Sequence, residues 1–357
     1  MKGIGNITLL LLFAILSSCG NKSSEQIEKD TASGVVLIQN ESYYEVVLSN
    51  GNSIFFSSYD EENGVKGIAT DEDSVELTTS YGTGFFISND GLIATNAHVV
   101  SNMVSDKDVN KSMSSLFESL KSLYAIVYNE MNEKYEKAQI LYNYAYIDDD
   151  VSYDDFCKIS DYKDELKSEM DEYANIYAAL DDLDADDSEI KYHNRISIAY
   201  NDTYVTSTTD FVPCVLTKSD EEHDLAIIQL KNKKSPDNVA IFNVPAEDPL
   251  ENYSWTEQIT KSISEDKNEK VFMIGFNLGP TLAITEEGVK SQFNNGTISQ
   301  RTSDRLMYSI PALPGSSGSP VVNLKGELIA VNYAGLNGTQ NFNYGIRIKY
   351  LRDLLDK

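Results

Sequence analysis

Three short stretches hold residue types that could carry out acyl transfer together. "TNAHVV" contains His98, "EEHDLAII" contains Asp224 and "LPGSSGSPVV" contains Ser317. A serine hydroxyl is a poor nucleophile, so it needs a base within hydrogen-bond reach and a third group that orients that base. Histidine suits the second role because its unperturbed pKa lies near neutrality, and an aspartate can serve the third. Taken singly, each stretch is a weak signal: an isolated histidine is usually structural, and a glycine-serine-proline run can be a plain polar turn. Their value lies in joint occurrence, in the order His, Asp, Ser, each in a local context that fits its role.

The elements that must position these residues read mainly as strands. From Gly34 the chain turns β-like, and "YYEVVLSNGNSIFFSS" sets Asn50-Gly51 between two runs of β-branched and aromatic residues, which predicts a hairpin. "GFFIS" and "GLIATNAHVV" continue as strand-like runs joined at Asn89-Asp90, with His98 at the end of a strand. After Lys191 the rhythm resumes in "RISIAY", "FVPCVLTK", "DLAIIQL", "KVFMIGF", "GTISQ", "LMYSI", "SPVVN", "ELIAVNYAG" and "NYGIRI", with Asp224 opening one of these runs. Short strands separated by turn signals predict an all-β sandwich or a pair of barrels.

Between these blocks the character changes. Residues 101–192 hold 23 acidic and 9 basic residues, no glycine or proline, and 11 of the 22 tyrosines. Leu116, Leu120, Leu123 and Val127 keep a helical spacing, extended loosely by Met131 and Tyr135; Leu166, Met170, Tyr173, Tyr177 and Leu180 repeat it. Ser152, with Asp155 three residues on, reads as a helix start. The stretch predicts an antiparallel helical hairpin of roughly 40 and then 30 residues. Its tail, "DDLDADDSE", invites a calcium loop on Asp182, Asp184 and Asp186. The required glycine and glutamate are replaced by Asp187 and His193, so a solvated acidic loop is the better reading.

The quoted catalytic stretches, with "GTGFFISNDGLIATNAHVV", "KVFMIGFNLG" and "PGSSGSPVVNLKGELIAVN", resemble the trypsin-like (chymotrypsin-fold) serine proteases, closest to the bacterial HtrA/Deg branch. The resemblance covers roughly residues 81–100 and 195–348. It implies a mainly β fold of two six-stranded antiparallel β-barrels, with the helical hairpin of residues 102–192 inserted into a protease domain of residues 76–357. It implies Ser317 as nucleophile, His98 as general base and Asp224 as the group orienting the imidazole. It also implies the N–H groups of Gly315 and Ser317 as oxyanion donors, with glycine at 315 permitting the backbone geometry that turns its amide inward. The matching segments of the primary pocket hold neither an acid nor a base. Ala312, Leu313, Asn332, Tyr333 and Ala334 are the pocket candidates, and small or apolar side chains are expected before the scissile bond.

Four departures stand out. Ser316 replaces the aspartate of zymogen-activated relatives, so no propeptide activation is expected. His98 and Asp224 lie 126 residues apart, the insertion accounting for the excess. "SGSP" replaces the commoner "SGGP", as in glutamyl endopeptidases, yet Asn332 stands where those enzymes place a pocket histidine. No PDZ domain is expected after the protease domain.

Bulk properties narrow the partners. With 56 acidic against 29 basic residues and a net charge of −27, nucleic acid and anionic headgroups are excluded as partners. Residues 1–18 read as a secretory signal, and "LSSC" resembles a lipoprotein box. That implies lipidation of Cys19, a tether over residues 19–33 and a lipid-anchored place in a bacterial cell envelope, periplasmic or surface-exposed. An ordinary signal with an incidental cysteine is the alternative. Residues 34–75 are read as an N-terminal β-hairpin region. Cys157 and Cys214 could pair in an oxidising compartment, with two separate thiols the favoured reading. No "CxxC" or "HExxH" occurs and there are three histidines, so neither a metal nor another cofactor is expected. The expected function is a serine endopeptidase acting on protein or peptide substrates through an acyl-enzyme, with a protein partner at the insertion. The alternative is a catalytically silent protease-fold adaptor.

Overall fold

Several apolar runs of this chain do not alternate with polar residues, because their strands have no solvent face. The structure, a computed structural model, describes residues 21–251, 269–335 and 342–357. The signal segment 1–18 and Cys19 lie outside the described residues. The chain divides into two compact units: Thr79–Met103 and Asn194–Lys357 with the N-terminal stretch up to Ser42 form one, Tyr43–Thr78 and Val104–His193 the other.

Up to residue 230 the strands are β1 (Val35–Val47), β2 (Ser53–Phe56), β3 (Ser58–Asp60), β4 (Gly64–Lys66), β5 (Thr78–Phe86), β6 (Leu92–Thr95), β7 (Glu189–Tyr200), β8 (Val212–Asp220) and β9 (Leu225–Leu230). In the first unit, the order β1-β5-β6-β9-β8-β7 closes on itself through a β1–β7 pairing, giving a six-stranded barrel. The later strands are β10 (Lys270–Gly275), β11 (Ile284–Thr285), β12 (Gly288–Val289), β13 (Gln292–Arg301), β14 (Arg305–Tyr308), β15 (Pro320–Asn323), β16 (Leu328–Gly335) and β17 (Asn343–Arg347). Of these, β10-β13-β14-β17-β16-β15 close a second antiparallel six-stranded barrel. The two closed barrels with a long helical insertion are the chymotrypsin-like architecture.

Burial explains the unbroken apolar runs. Val36, Ile38, Phe86, Ile93 and Ile228 share one cluster confined to the first barrel and its helical turn. Their neighbours Val35, Leu37, Phe85 and Ile227 share another with Phe272, Ile274 and Val331 of the second barrel. Alternate residues of one strand therefore feed two different cores.

Two of the expected segments take on structure within these units. Residues 19–33 are not a bare tether: α1 (Ser24–Thr31) is capped by the Ser23 hydroxyl, and Ile27 is fully buried in the cluster that joins the barrels. Its single large apolar side chain is enough to dock a short helix. The segment 34–75 is shared: β1 begins as a barrel strand, whereas from Tyr43 the chain belongs to the second unit and turns through Asn50-Gly51 to pair β1 with β2.

The second unit contains the helical hairpin, α3 (Asp106–Ile147, 42 residues) and α4 (Tyr153–Asp181, 29 residues). Ser152 caps α4, accepting from the Asp155 N–H at 3.1 Å. Met131, Ala138, Leu166 and Met170 form the seam with Val127, Tyr135 and Tyr173 against them. Leu123, expected in the seam, is 55% exposed; Met113 and Phe117 are buried instead, against Tyr44, Val46 and Phe56. The helix rotates its stripe there to meet the β1–β2 hairpin as well as α4. No described helix is long and apolar enough to cross a membrane.

Candidate active site

The histidine does not end a strand as the sequence suggested. Leu92–Thr95 is the strand β6, and Ala97–Val100 forms a single helical turn, α2, with Ala97, Val99 and Val100 buried in the first-barrel core. Packing of those three apolar neighbours turns the remaining residue, His98, outwards. Its Nδ1 lies 2.7 Å from Asp224 Oδ2, and its backbone N–H donates to Asp224 Oδ1 at 2.9 Å. A carboxylate only accepts, so the proton sits on Nδ1 and the Nε2 lone pair is left for a base's work.

Asp224 immediately precedes β9 and adopts φ +51°, a conformation that aspartate tolerates better than most side chains. Its carbonyl accepts from Asn96 Nδ2 at 2.9 Å. The residue is therefore held at both ends by the segment that carries His98. Sequence reasoning passed over Asn96; its only signal was its place two residues before the histidine.

Ser317 lies on the loop entering β15 of the second barrel. Its carbonyl accepts from the Thr83 N–H of β5 at 2.7 Å. The Thr83 hydroxyl donates to Gly315 O at 2.8 Å and accepts from the Phe276 N–H at 3.0 Å. One first-barrel threonine thus ties down two strands' worth of the second barrel's site. The same strand approaches both segments: a Cβ on Gly82 would lie 2.6 Å from Cγ1 of Val99, the residue after His98, and 3.3 Å from Ser317 O. The signal for Thr83 was present in "GTGFF", a small polar residue between two glycines where two backbones approach. Thr83→Val keeps the volume and orphans buried partners. It is expected to lower the unfolding free energy by about 1–3 kcal/mol, as read from urea denaturation.

The loop itself is built around unusual backbone. Gly315 has φ +96°, and a Cβ there would meet Phe276 O at 2.4 Å and Gly279 N at 2.6 Å. The Pro314 carbonyl accepts from the Leu278 N–H at 2.6 Å. Because a peptide's C=O and N–H point in opposite directions, this anchoring aims the Gly315 N–H away from Leu278. Leu278 itself holds φ +58°, a strained conformation for so bulky a residue. Among the described residues, neither the Gly315 nor the Ser317 N–H donates to a protein acceptor. The serine of "SGSP" is accommodated by a glycine opposite: a Cβ on Gly275 would fall 1.9 Å from Ser319 Oγ.

The structure brings His98 and Asp224 into direct contact. The Ser317 hydroxyl, in contrast, donates to the Tyr333 carbonyl at 3.4 Å, and no hydrogen bond joins it to the imidazole. Catalytic hydrogen bonds are commonly long before substrate binds.

Of the pocket candidates, Leu313 is about half exposed and Ala312 and Tyr333 are half-buried. The Ala334 side chain lies outside the described residues. Asn332 is corrected. It is 1% exposed and cannot line a pocket, because its amide is spent on Tyr308 and Ser316. Cys157 and Cys214 are both free, and burial pushes the Cys214 thiol up to about 12. No cluster of metal-ligating side chains occurs among the described residues.

No curated protein matches the chain. Among solved structures it is similar to the crystal structure of a serine endoprotease from Yersinia pestis, with 13% identity and a TM-score of 0.43. That alignment covers 94% of this chain and 66% of the other, so the chain spans just under two thirds of that protein's length. Residues 183–331 match the family model described as a trypsin-like peptidase domain, a span that includes Asp224 and Ser317 and begins after His98. Over that span, this chain is similar to the trypsin-like peptidases.

Proposed function

We propose that the protein is a serine endopeptidase of the bacterial cell envelope. Ser317 Oγ attacks the scissile carbonyl while His98 Nε2 takes its proton, and Asp224 stabilises the imidazolium that forms. The oxyanion is received by the N–H groups of Gly315 and Ser317. Collapse of the tetrahedral species breaks the C–N bond, with His98 returning the proton to the leaving amine. Water then attacks the acyl carbonyl as His98 takes its proton, and collapse breaks the bond to Ser317 Oγ while His98 returns that proton to Oγ, releasing the acid and restoring the serine.

The single observation that carries this reading is the two-point grip of Asp224 on His98, through ring and backbone. It sets the proton on Nδ1 and leaves Nε2 as the acceptor, the tautomer a general base requires. The test is covalent labelling by a fluorophosphonate, with the adduct located by mass. An adduct on Ser317 is expected; a folded chain that no fluorophosphonate labels overturns the assignment. The inert-adaptor reading draws its support from the Ser317 hydroxyl facing the Tyr333 carbonyl, and the same labelling decides between the two.

The lipid anchor on Cys19 and the envelope location rest on the "LSSC" resemblance alone. Protein or peptide chains are the substrates of this reading, and Ala312, Leu313, Tyr333 and Ala334 stay as its pocket residues. A protein partner at the helical insertion is supported by Ile140, Leu141, Tyr144, Ile147 and Tyr153, all exposed near its turn. A chain lacking Asp106–Asp187 is expected to keep its rate on a short peptide and lose rate on a folded protein. Equal rates on both would retire the docking role.

A further inference from the structure

The residue that failed as a pocket wall points to another role. Asn332, on β16, is buried with Tyr308 of β14 and Ser316 of the nucleophile loop. The Tyr308 hydroxyl donates to Asn332 Oδ1 at 2.8 Å. Burial, with the Tyr333 phenol nearby, pushes the Tyr308 hydroxyl well above the ordinary phenol range, so it stays a donor. A donor on Oδ1 fixes which way the amide faces, and Nδ2 is left for Ser316. It donates to the Ser316 carbonyl at 3.0 Å and approaches Ser316 Oγ at 3.3 Å.

The consequence runs through one peptide plane. The Ser316 carbonyl and the Ser317 N–H belong to the same planar, trans unit and point in opposite directions. With the carbonyl pulled inwards by Asn332 Nδ2 and by the Ser319 N–H at 3.1 Å, the Ser317 N–H is turned away from the barrel core. The backbone of Asn332 reinforces this. Its carbonyl accepts from the Gly318 N–H at 2.7 Å, and its N–H donates to Ser319 O at 2.9 Å. Ser316 closes the turn on itself, its hydroxyl donating to Leu313 O at 2.7 Å.

We propose that Asn332, oriented by Tyr308, is a positioning residue that holds the Ser316–Ser317 peptide plane so that the Ser317 N–H is set for the oxyanion. This rests on the serine-protease reading above. The latch is neutral and internal, made of two side chains from β14 and β16, the barrel strands on either side of β17. It does for Ser316 what a charged partner would do for an acid at that position, and it needs no cleavage to assemble.

Three variants test it in the full chain. Asn332→Ala removes the donor. Asn332→Asp keeps the shape but presents an acceptor to the Ser316 carbonyl. Tyr308→Phe keeps the ring and removes only the hydroxyl that orients the amide. Loss of a donor to an oxyanion typically costs on the order of 10²–10³ in kcat. Asn332→Ala and Asn332→Asp are expected to approach the lower end of that range with KM little changed, and Tyr308→Phe to fall between them and the parent. A space-filling asparagine would predict near-parental kcat for the isosteric Asp variant once folding is verified by its unfolding midpoint. That result, or parental kcat in both Asn332→Ala and Tyr308→Phe, overturns the proposal. If Asn332 variants do not fold, Tyr308→Phe alone carries the measurement. Should the parent chain hydrolyse nothing and resist labelling, the protease reading falls by itself. The latch is then read from a crystal structure of Tyr308→Phe or Asn332→Ala: a rotated Ser316–Ser317 plane supports it, and an unchanged plane overturns it.

Discussion

Replacing Ser317 with alanine is expected to abolish fluorophosphonate labelling and to reduce peptide hydrolysis on the order of 10⁶-fold in kcat. The size follows from the role proposed for the hydroxyl: without it no acyl-enzyme would form, and only binding and the oxyanion donors would remain to act on water. The fold should survive intact. The hydroxyl makes one hydrogen bond, at 3.4 Å to the Tyr333 carbonyl. The loop is instead held by backbone contacts, Thr83 N–H to Ser317 O and Gly318 N–H to Asn332 O. An unchanged thermal midpoint with labelling lost identifies the nucleophile. Continued labelling in the alanine variant would place the reactive group elsewhere and sink the assignment.

Asp224→Asn should lower kcat on the order of 10⁴-fold while leaving the structure in place. The backbone at this position has φ +51°, which asparagine adopts at least as readily as aspartate. The side-chain carbonyl can still accept from the His98 N–H, now at 2.9 Å to Asp224 Oδ1. The new amide then faces the ring nitrogen that the carboxylate contacts at 2.7 Å. Two donors cannot share that contact, so the imidazole must carry its proton on Nε2, where a base needs a lone pair. The measurement is kcat for a peptide substrate together with the unfolding midpoint. Parental kcat in a folded Asp224→Asn chain would show that the aspartate orients nothing of consequence.

Much of the architecture could be read from local pattern. The capped start at Ser152 and the glycine-free acidic stretch announced the helical hairpin, because helix periodicity and capping act within a few residues. The strand runs were legible for the same reason. Where local pattern misled, a distant partner had decided the outcome. Residues 19–33 have a tether's composition, yet Ile27 docks a helix because a hydrophobic cluster between the barrels has room for it. Leu123 has the right spacing for the seam, but the β1–β2 hairpin claims the neighbouring face of α3 and leaves Leu123 in solvent.

The candidate site divides along the same line. The chemistry of His98, Asp224 and Ser317, their order, and the glycines that permit the loop are properties of residue type and short spacing. Letters alone carried these. The grip of Asp224 on His98 spans 126 residues and that of Thr83 on Gly315 spans 232. Asn332 was misread for want of such a contact: its neighbours in sequence make it look like a pocket wall, whereas Tyr308 and Ser316 make it a buried latch. Hydrogen-bond geometry across barrel closures depends on register and burial set by the whole core, and no window of neighbouring residues contains that information.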